Sequence, residues 1–198
     1  MSSQIKTFVT PAEYVARERQ SEFKSEYLNG EVFAMTGASR KHNLVTGNAF
    51  ASLREQLKNG PCEIYVSDMR VKVTASAFYT YPDIVVVCDK PQFEDEEVDT
   101  LVNPTLLIEV LSTSTERYDR IAKTSYYRMP DSLREHLLVA QHEIRIEQYV
   151  RQSNGEWAQY EYGSVDDVVE LKSIDCLLPL RDVYDKVQID PGYRPKPR

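Results

Sequence analysis

Hydrophobic and polar positions alternate with changing period along the chain, and each change marks an element. Thr10-Pro11 supplies an N-cap and a proline at the first helical position, which predicts a short charged helix to about Ser21. Asn29-Gly30, flanked by Phe23–Leu28 and Glu31–Met35, predicts a two-residue β-hairpin. Ser39 can cap a second helix to about Lys58, in which Val45, Ala49, Leu53 and Leu57 recur every fourth residue as a buried stripe. Asn59-Gly60-Pro61 ends it. Three strands follow at Glu63–Val66, Met69–Thr74 and Tyr81–Cys88, the last apolar on both faces like a covered central strand. Thr105–Leu111 reads as a second buried strand. Thr113-Ser114-Thr115-Glu116 has capping-box spacing and opens a helix to about Arg128, closed by Met129-Pro130. Glu135–Ala140, Ile144–Val150, Trp157–Tyr162 and Val168–Leu171 read as a C-terminal β-meander, and the prolines from Pro191 onward mark 191–198 as a flexible tail. Residues 1–190 thus form a single domain of α/β or α+β class.

Length and composition agree with this picture. At 198 residues, with 41% apolar and 28% charged, the chain is globular and not disordered throughout. The formal net charge of −7 excludes a protein that coats nucleic acid by bulk positive charge. It leaves room for a local encounter, because Glu94, Asp95, Glu96, Glu97 and Asp99 share one loop, read as a solvated connection. Arg117, Arg120, Lys123 and Arg128, against Asp119 alone, give a locally basic helix. Cys62, Cys88 and Cys176 are scattered and odd in number, which predicts free thiols in a reducing compartment. The first ten residues have no signal-like apolar core, and Ile84–Cys88 is far too short for a membrane span, so a soluble cytoplasmic protein is expected.

Phosphate-binding glycine loops, Gly-x-Ser-x-Gly and His-Glu-x-x-His do not occur. Acidic residues on buried strands remain. Asp83 follows Pro82 at the mouth of an apolar strand, and Glu109 interrupts Thr105-Leu-Leu-Ile-Glu-Val-Leu111. Strand alternation sets Thr105, Leu107, Glu109 and Leu111 on one face. A carboxylate there needs compensation: a salt bridge to Arg70 or Arg120, a raised pKa, or a metal ion. Two carboxylates on adjacent strand ends offer the oxygen ligands that Mg²⁺ or Mn²⁺ prefers, with water and phosphate completing the shell.

Tyr81-Pro82-Asp83-Ile84-Val85-Val86, Pro104-Thr-Leu-Leu-Ile-Glu109-Val-Leu-Ser-Thr-Ser-Thr115 and Asp119-x-x-x-Lys123-x-x-x-Tyr127 resemble, in that order, the Uma-two restriction-endonuclease family of the PD-(D/E)XK nuclease superfamily. Tyr27-Leu28-x-Gly30-Glu31-Val32, His42, Ser132–Glu135 and Leu177-x-Pro179-Leu180 extend the resemblance over nearly the whole chain. It implies a restriction-endonuclease-like fold, a mixed central sheet flanked by helices, and a metal-dependent endonuclease acting transiently on DNA as a homodimer. Asp83 and Glu109 would bind the metal, Mg²⁺ or Mn²⁺. The superfamily lysine two residues after the acid is absent, since Leu111 stands there.

Lys123, on the following helix, is the substitute the resemblance suggests, placed to orient or deprotonate water or to stabilise phosphoryl charge. A plain i, i+4 pair with Asp119 is the competing role. Glu31, on the second hairpin strand, and His42, near the start of the second helix, are accessory candidates. Arg117 and Arg120 are candidates for phosphate contact, with Arg120, Lys123 and Tyr127 on one helical face. Loss of catalysis, leaving a nuclease-fold interaction module, is the alternative that Leu111 and the net charge favour.

Overall fold

The computed structural model describes residues 8–74, 78–112, 116–190 and 192. Helix α1 (Pro11–Glu18) opens on a capping box: the Glu13 amide donates to the Thr10 hydroxyl, and the Thr10 amide donates to the Glu13 carboxylate at 2.8 Å. Strands β1 (Ser25–Leu28) and β2 (Glu31–Ala34) form the hairpin, with Asn29 and Gly30 at φ of 47° and 95°. Positive φ at both turn residues is what a twist-matched two-residue hairpin requires. Helix α2 (Arg40–Leu57) starts at Ser39, whose hydroxyl accepts from the His42 amide. Its stripe Val45, Ala49, Leu53 and Leu57 is buried, as the spacing predicts.

Five strands come next: β3 (Glu63–Val66), β4 (Arg70–Thr74), β5 (Phe78–Thr80), β6 (Ile84–Val87) and the two-residue β7 (Thr100–Leu101). Strand β8 (Leu106–Leu111) then leads to a broken helix of three pieces, α3 (Glu116–Tyr118), a π-helical stretch (Asp119–Lys123) and α4 (Thr124–Tyr127). The chain ends in β9 (Glu135–Ala140), β10 (Ile146–Arg151), β11 (Trp157–Tyr162), β12 (Val168–Leu171), β13 (Cys176–Pro179) and the one-turn helix α5 (Leu180–Val183).

The main sheet has the order β11-β10-β9-β8-β6-β3 and is mixed, because β8 and β9 run parallel while its other neighbours are antiparallel. The helix that follows β8 is the crossover that a parallel neighbour demands. A second sheet, β2-β1-β5-β4-β7, carries the N-terminal hairpin. On one face of the main sheet, Leu106, Ile108 and Val110 pack with the α2 stripe. On the other, Leu107 joins Val71, Phe78 and Tyr127 in a second core between the sheets. The result is a mixed α+β fold with few helices. No helix among the described residues is long and apolar enough to cross a membrane.

Several expectations need correction. Cys62 and Cys88 are disulfide-bonded, and only Cys176 is a free, buried thiol. The β3–β6 register pairs Glu63 with Val87, so the two cysteines meet one step further along. The run Tyr81–Cys88 supplies only β6; Phe78–Thr80 before it is a separate strand of the second sheet. The meander stops at β11, since β12 turns away to pair with β13 in a small sheet of its own. The acidic loop is pinned rather than freely solvated: Arg19 holds Asp95 and Asp99, Arg70 holds Asp99, and Lys72 holds Glu94. Thr113–Thr115 of the capping box and all of the tail but Gly192 lie outside the described residues.

Candidate active site

Every residue of β8 is buried, Glu109 included at 5% exposure. Its neighbours explain how a carboxyl stays there. Lys123 approaches Glu109 Oε1 with its Nζ at 3.2 Å, and the Tyr127 hydroxyl donates to the same oxygen. The expected bridge from Arg70 or Arg120 is not what forms, because Arg70 pairs with Asp99 and Arg120 with Glu116 and Glu147.

Lys123 is itself buried, at the end of the π-helical stretch. Three carboxylates face its ammonium: Glu26 at 2.7 Å, Glu109 at 3.2 Å and Asp119 at 3.4 Å. The i, i+4 pairing with Asp119 is therefore real, and it is the longest of the three contacts. The wider π turn is a feature often found at functional sites. Here Lys123 and Tyr127 reach Glu109 while Arg120 is turned to Glu116 and Glu147, so the single helical face that the sequence suggests is divided. Arg120 thus has its charge matched by two carboxylates. Arg117 is exposed.

Glu26 is the residue the sequence did not single out. It sits on β1, in the second sheet, and accepts from the Thr80 hydroxyl at 2.6 Å as well as from Lys123. Only the docking of the two sheets brings it to β8. A carboxylate beside Tyr27 in the first strand of the Asn29-Gly30 hairpin was the available signal, since both are buried there. Glu31 lies exposed on β2, across from Leu28.

Asp83 stands at the entrance of β6, and continuing the β6–β8 register one step sets it opposite Glu109. Its Oδ2 accepts from the Val110 amide at 2.7 Å and lies 3.2 Å from His42 Nε2. His42, half-buried on the first turn of α2, is thus placed against Asp83 by the Ser39 cap. Burial disfavours its protonated form, but the hydrogen bond and charge of Asp83 outweigh this and raise its pKa. Leu111, at the missing-lysine position, packs with Leu138 and Tyr149.

Electrostatically the site is acid-rich. Burial pushes the Glu109 carboxyl up to about 8, Lys123 opposes the shift, and the nearby charges of Asp119, Asp83 and Glu26 add to it. Burial works against the Lys123 ammonium, yet the surrounding acids hold it protonated well above the usual lysine range. Four carboxyl groups therefore share the site with one lysine. Among the described residues no three His, Cys, Asp or Glu side chains form an ion cage. A cage is not needed for Mg²⁺, which keeps several waters and takes one or two carboxylates plus substrate phosphate. The donor set of Asp83 and Glu109, hard oxygens in surplus over cations, fits that pattern.

Comparison with known proteins bears on family and fold. The chain is 39% identical over 149 residues to "Uncharacterized protein sll1609" of Synechocystis sp. (strain ATCC 27184 / PCC 6803 / Kazusa), covering 75% of this chain and 84% of that protein. It is 33% identical over 176 residues to "Uncharacterized protein slr1290" of the same organism, covering 89% and 91%. A crystal structure of a "putative nuclease belonging to DUF820" from Anabaena variabilis ATCC 29413 shares the fold, with a TM-score of 0.73 at 18% identity over 91% of this chain and 99% of that one. The profile of the Uma2 family, described as "Putative restriction endonuclease", matches residues 11–178. Matched by that profile over most of its length, the chain belongs to the Uma2 family.

Proposed function

We propose that this protein is a Mg²⁺- or Mn²⁺-dependent endonuclease that hydrolyses phosphodiester bonds in DNA, engaging it transiently as a homodimer. The observation that carries the proposal is the surplus of carboxylates around Lys123, with Asp83 and Glu109 opposed on neighbouring strands. Asp83 and Glu109 would hold the ion. Bound there, it would polarise a phosphoryl oxygen and acidify a water molecule.

The chain's own groups do the rest. Lys123 stays protonated, so it stabilises charge on the phosphoryl oxygens and orients water instead of accepting a proton. Tyr127 and Lys123 fix the Glu109 carboxyl through one oxygen. The Val110 amide and His42 fix Asp83 in the same way. Glu26 and Asp119 hold the ammonium in place. A cytoplasmic location is part of the same proposal, and the cysteines, two of which are paired, lend it no support.

Supercoiled plasmid incubated with the protein should be nicked or linearised with Mg²⁺ or Mn²⁺ and left intact with chelator. Asp83→Asn and Glu109→Gln should each slow cleavage at least about 10²-fold, and divalent binding by calorimetry should weaken with them. Absence of metal-dependent cleavage on supercoiled, linear and single-stranded DNA, together with no divalent binding, would sink the proposal and favour the interaction-module alternative. Sedimentation equilibrium tests the dimer, and a monomer at assay concentration would refute that part.

A further inference from the structure

We propose that the exposed ring of Phe33 is a stacking platform for a nucleobase of the substrate strand, held beside the carboxylate–lysine cluster by Tyr118. The inference rests on the endonuclease proposal and adds what this chain grips besides the phosphate. Strand β2 is an edge of its sheet, and all four of its residues are exposed. A single exposed aromatic on a strand is ordinary by itself. The position of this one is not.

Two separate structural links set Phe33 next to the site. In the β1–β2 register Phe33 pairs directly with Glu26, so their side chains share one face of the hairpin. Glu26 is the carboxylate closest to the Lys123 ammonium. Independently, the Phe33 ring lies 6.3 Å from the Tyr118 ring at 39°, and the Tyr118 ring lies 5.8 Å from Lys123 Nζ. Tyr118 therefore stands between Phe33 and the ammonium that faces Glu109.

The chemistry of these groups suits a nucleotide. The Tyr118 hydroxyl is buried with no hydrogen-bond partner among the described residues, so Tyr118 serves the platform through its ring, against which Phe33 packs. Arg117, its neighbour in sequence, is exposed and offers a cation for the strand's phosphates. Phe33, 41% exposed, presents an aromatic face, the group on which unpaired bases stack without regard to sequence. A strand that approaches Glu109 and Lys123 along the Tyr118 side would bring an adjacent base to this rim. A phosphate ester lacking a base would have no use for the ring.

Short single-stranded oligonucleotides, intact or with one abasic position moved stepwise past the cut, separate the possibilities. In steady-state cleavage, Phe33→Ala should raise KM about tenfold, a stacking-sized effect, with a much smaller change in kcat. Phe33→Trp should restore KM toward that of the unaltered protein. The unaltered protein should lose about tenfold at one abasic position, to which Phe33→Ala is insensitive. If Phe33→Ala leaves KM unchanged and all abasic positions are cut alike, the stacking role is overturned while the endonuclease proposal stands. If Phe33→Ala instead dissociates a dimer and high protein concentration restores KM, Phe33 belongs to a contact between two copies and the inference is again overturned. Failure of the unaltered protein to cut any nucleic acid removes the endonuclease proposal and this inference with it.

Discussion

Lys123→Met is expected to lower folding stability by about 3–5 kcal/mol, the cost of breaking a buried ion pair from one side. The methionine preserves length and packing but removes the ammonium that faces Glu26, Glu109 and Asp119. These carboxyls can then remain buried only as neutral acids or by drawing in water. The loss should deepen with pH, because a carboxyl whose folded-state pKa is raised binds a proton that the unfolded chain has released, and the stability this lends vanishes as pH passes the folded value. Glu109, already at about 8 with Lys123 present, would be pushed higher without it. Urea denaturation at about pH 5.5 and about pH 8.5 should show the larger deficit at the higher pH. A deficit below about 1 kcal/mol at both would mean the cluster is screened like a surface pair, and the buried-site account would fail. At temperatures where the variant is folded, metal-dependent cleavage should still fall about 10²–10³-fold, since charge stabilisation at the phosphoryl group is lost.

His136 gives the second large effect, in the opposite direction of pH. It lies on β9, fully buried, stacked on Tyr149 at 4.4 Å and 4° and edge-on to Tyr127. Neither ring nitrogen has a partner among the described residues. Burial, with a smaller push from Arg128, brings its pKa down to about 3. A group depressed in the folded state contributes stability that is complete above its unfolded value, near 6.5, and is lost as pH falls toward the folded value. The slope is about 1.4 kcal/mol per pH unit, and the whole effect is of order 5 kcal/mol. Glu109 acts the other way between its ordinary range and about 8, gaining stability as pH falls. The measurement is therefore a difference: stability of the unaltered protein minus that of His136→Phe, followed from about pH 7 to about pH 4. Phenylalanine keeps the stacked ring and has no buried nitrogen to protonate, so the difference should swing in its favour on acidification. A difference independent of pH would show that His136 reaches water or a proton in the folded chain.

Much of the local structure was legible from residue patterns. The Thr10 N-cap, the Asn29-Gly30 turn, the four-residue stripe of α2 and the apolar runs of β6 and β8 each depend on neighbours within a few positions, and each appears where expected. Short strands were missed where the signal is weak: β5 merges with the run that becomes β6, and β7 has two residues. The helix after β8 could not be foreseen as π-helical, since nothing in Asp119–Lys123 distinguishes it from an ordinary turn of helix. The acidic loop looked solvated because its partners come from the end of α1 (Arg19) and from β4 (Arg70 and Lys72), all distant in sequence.

The same division holds at the site. By itself the sequence determined that an acidic residue must be buried in β8, that Asp83 begins the neighbouring apolar strand, and that a lysine follows on a helix, because burial and periodicity are local properties of a strand or helix. Tertiary structure alone decided that Glu26 holds Lys123, that His42 touches Asp83, that Cys62 meets Cys88, and that Phe33 reaches the rim through Tyr118. Each of these contacts needs the register of one strand against another or the docking of two sheets. Many registers satisfy the same alternation of apolar and polar residues, so the choice among them is made by packing the whole core at once, and no segment carries it alone.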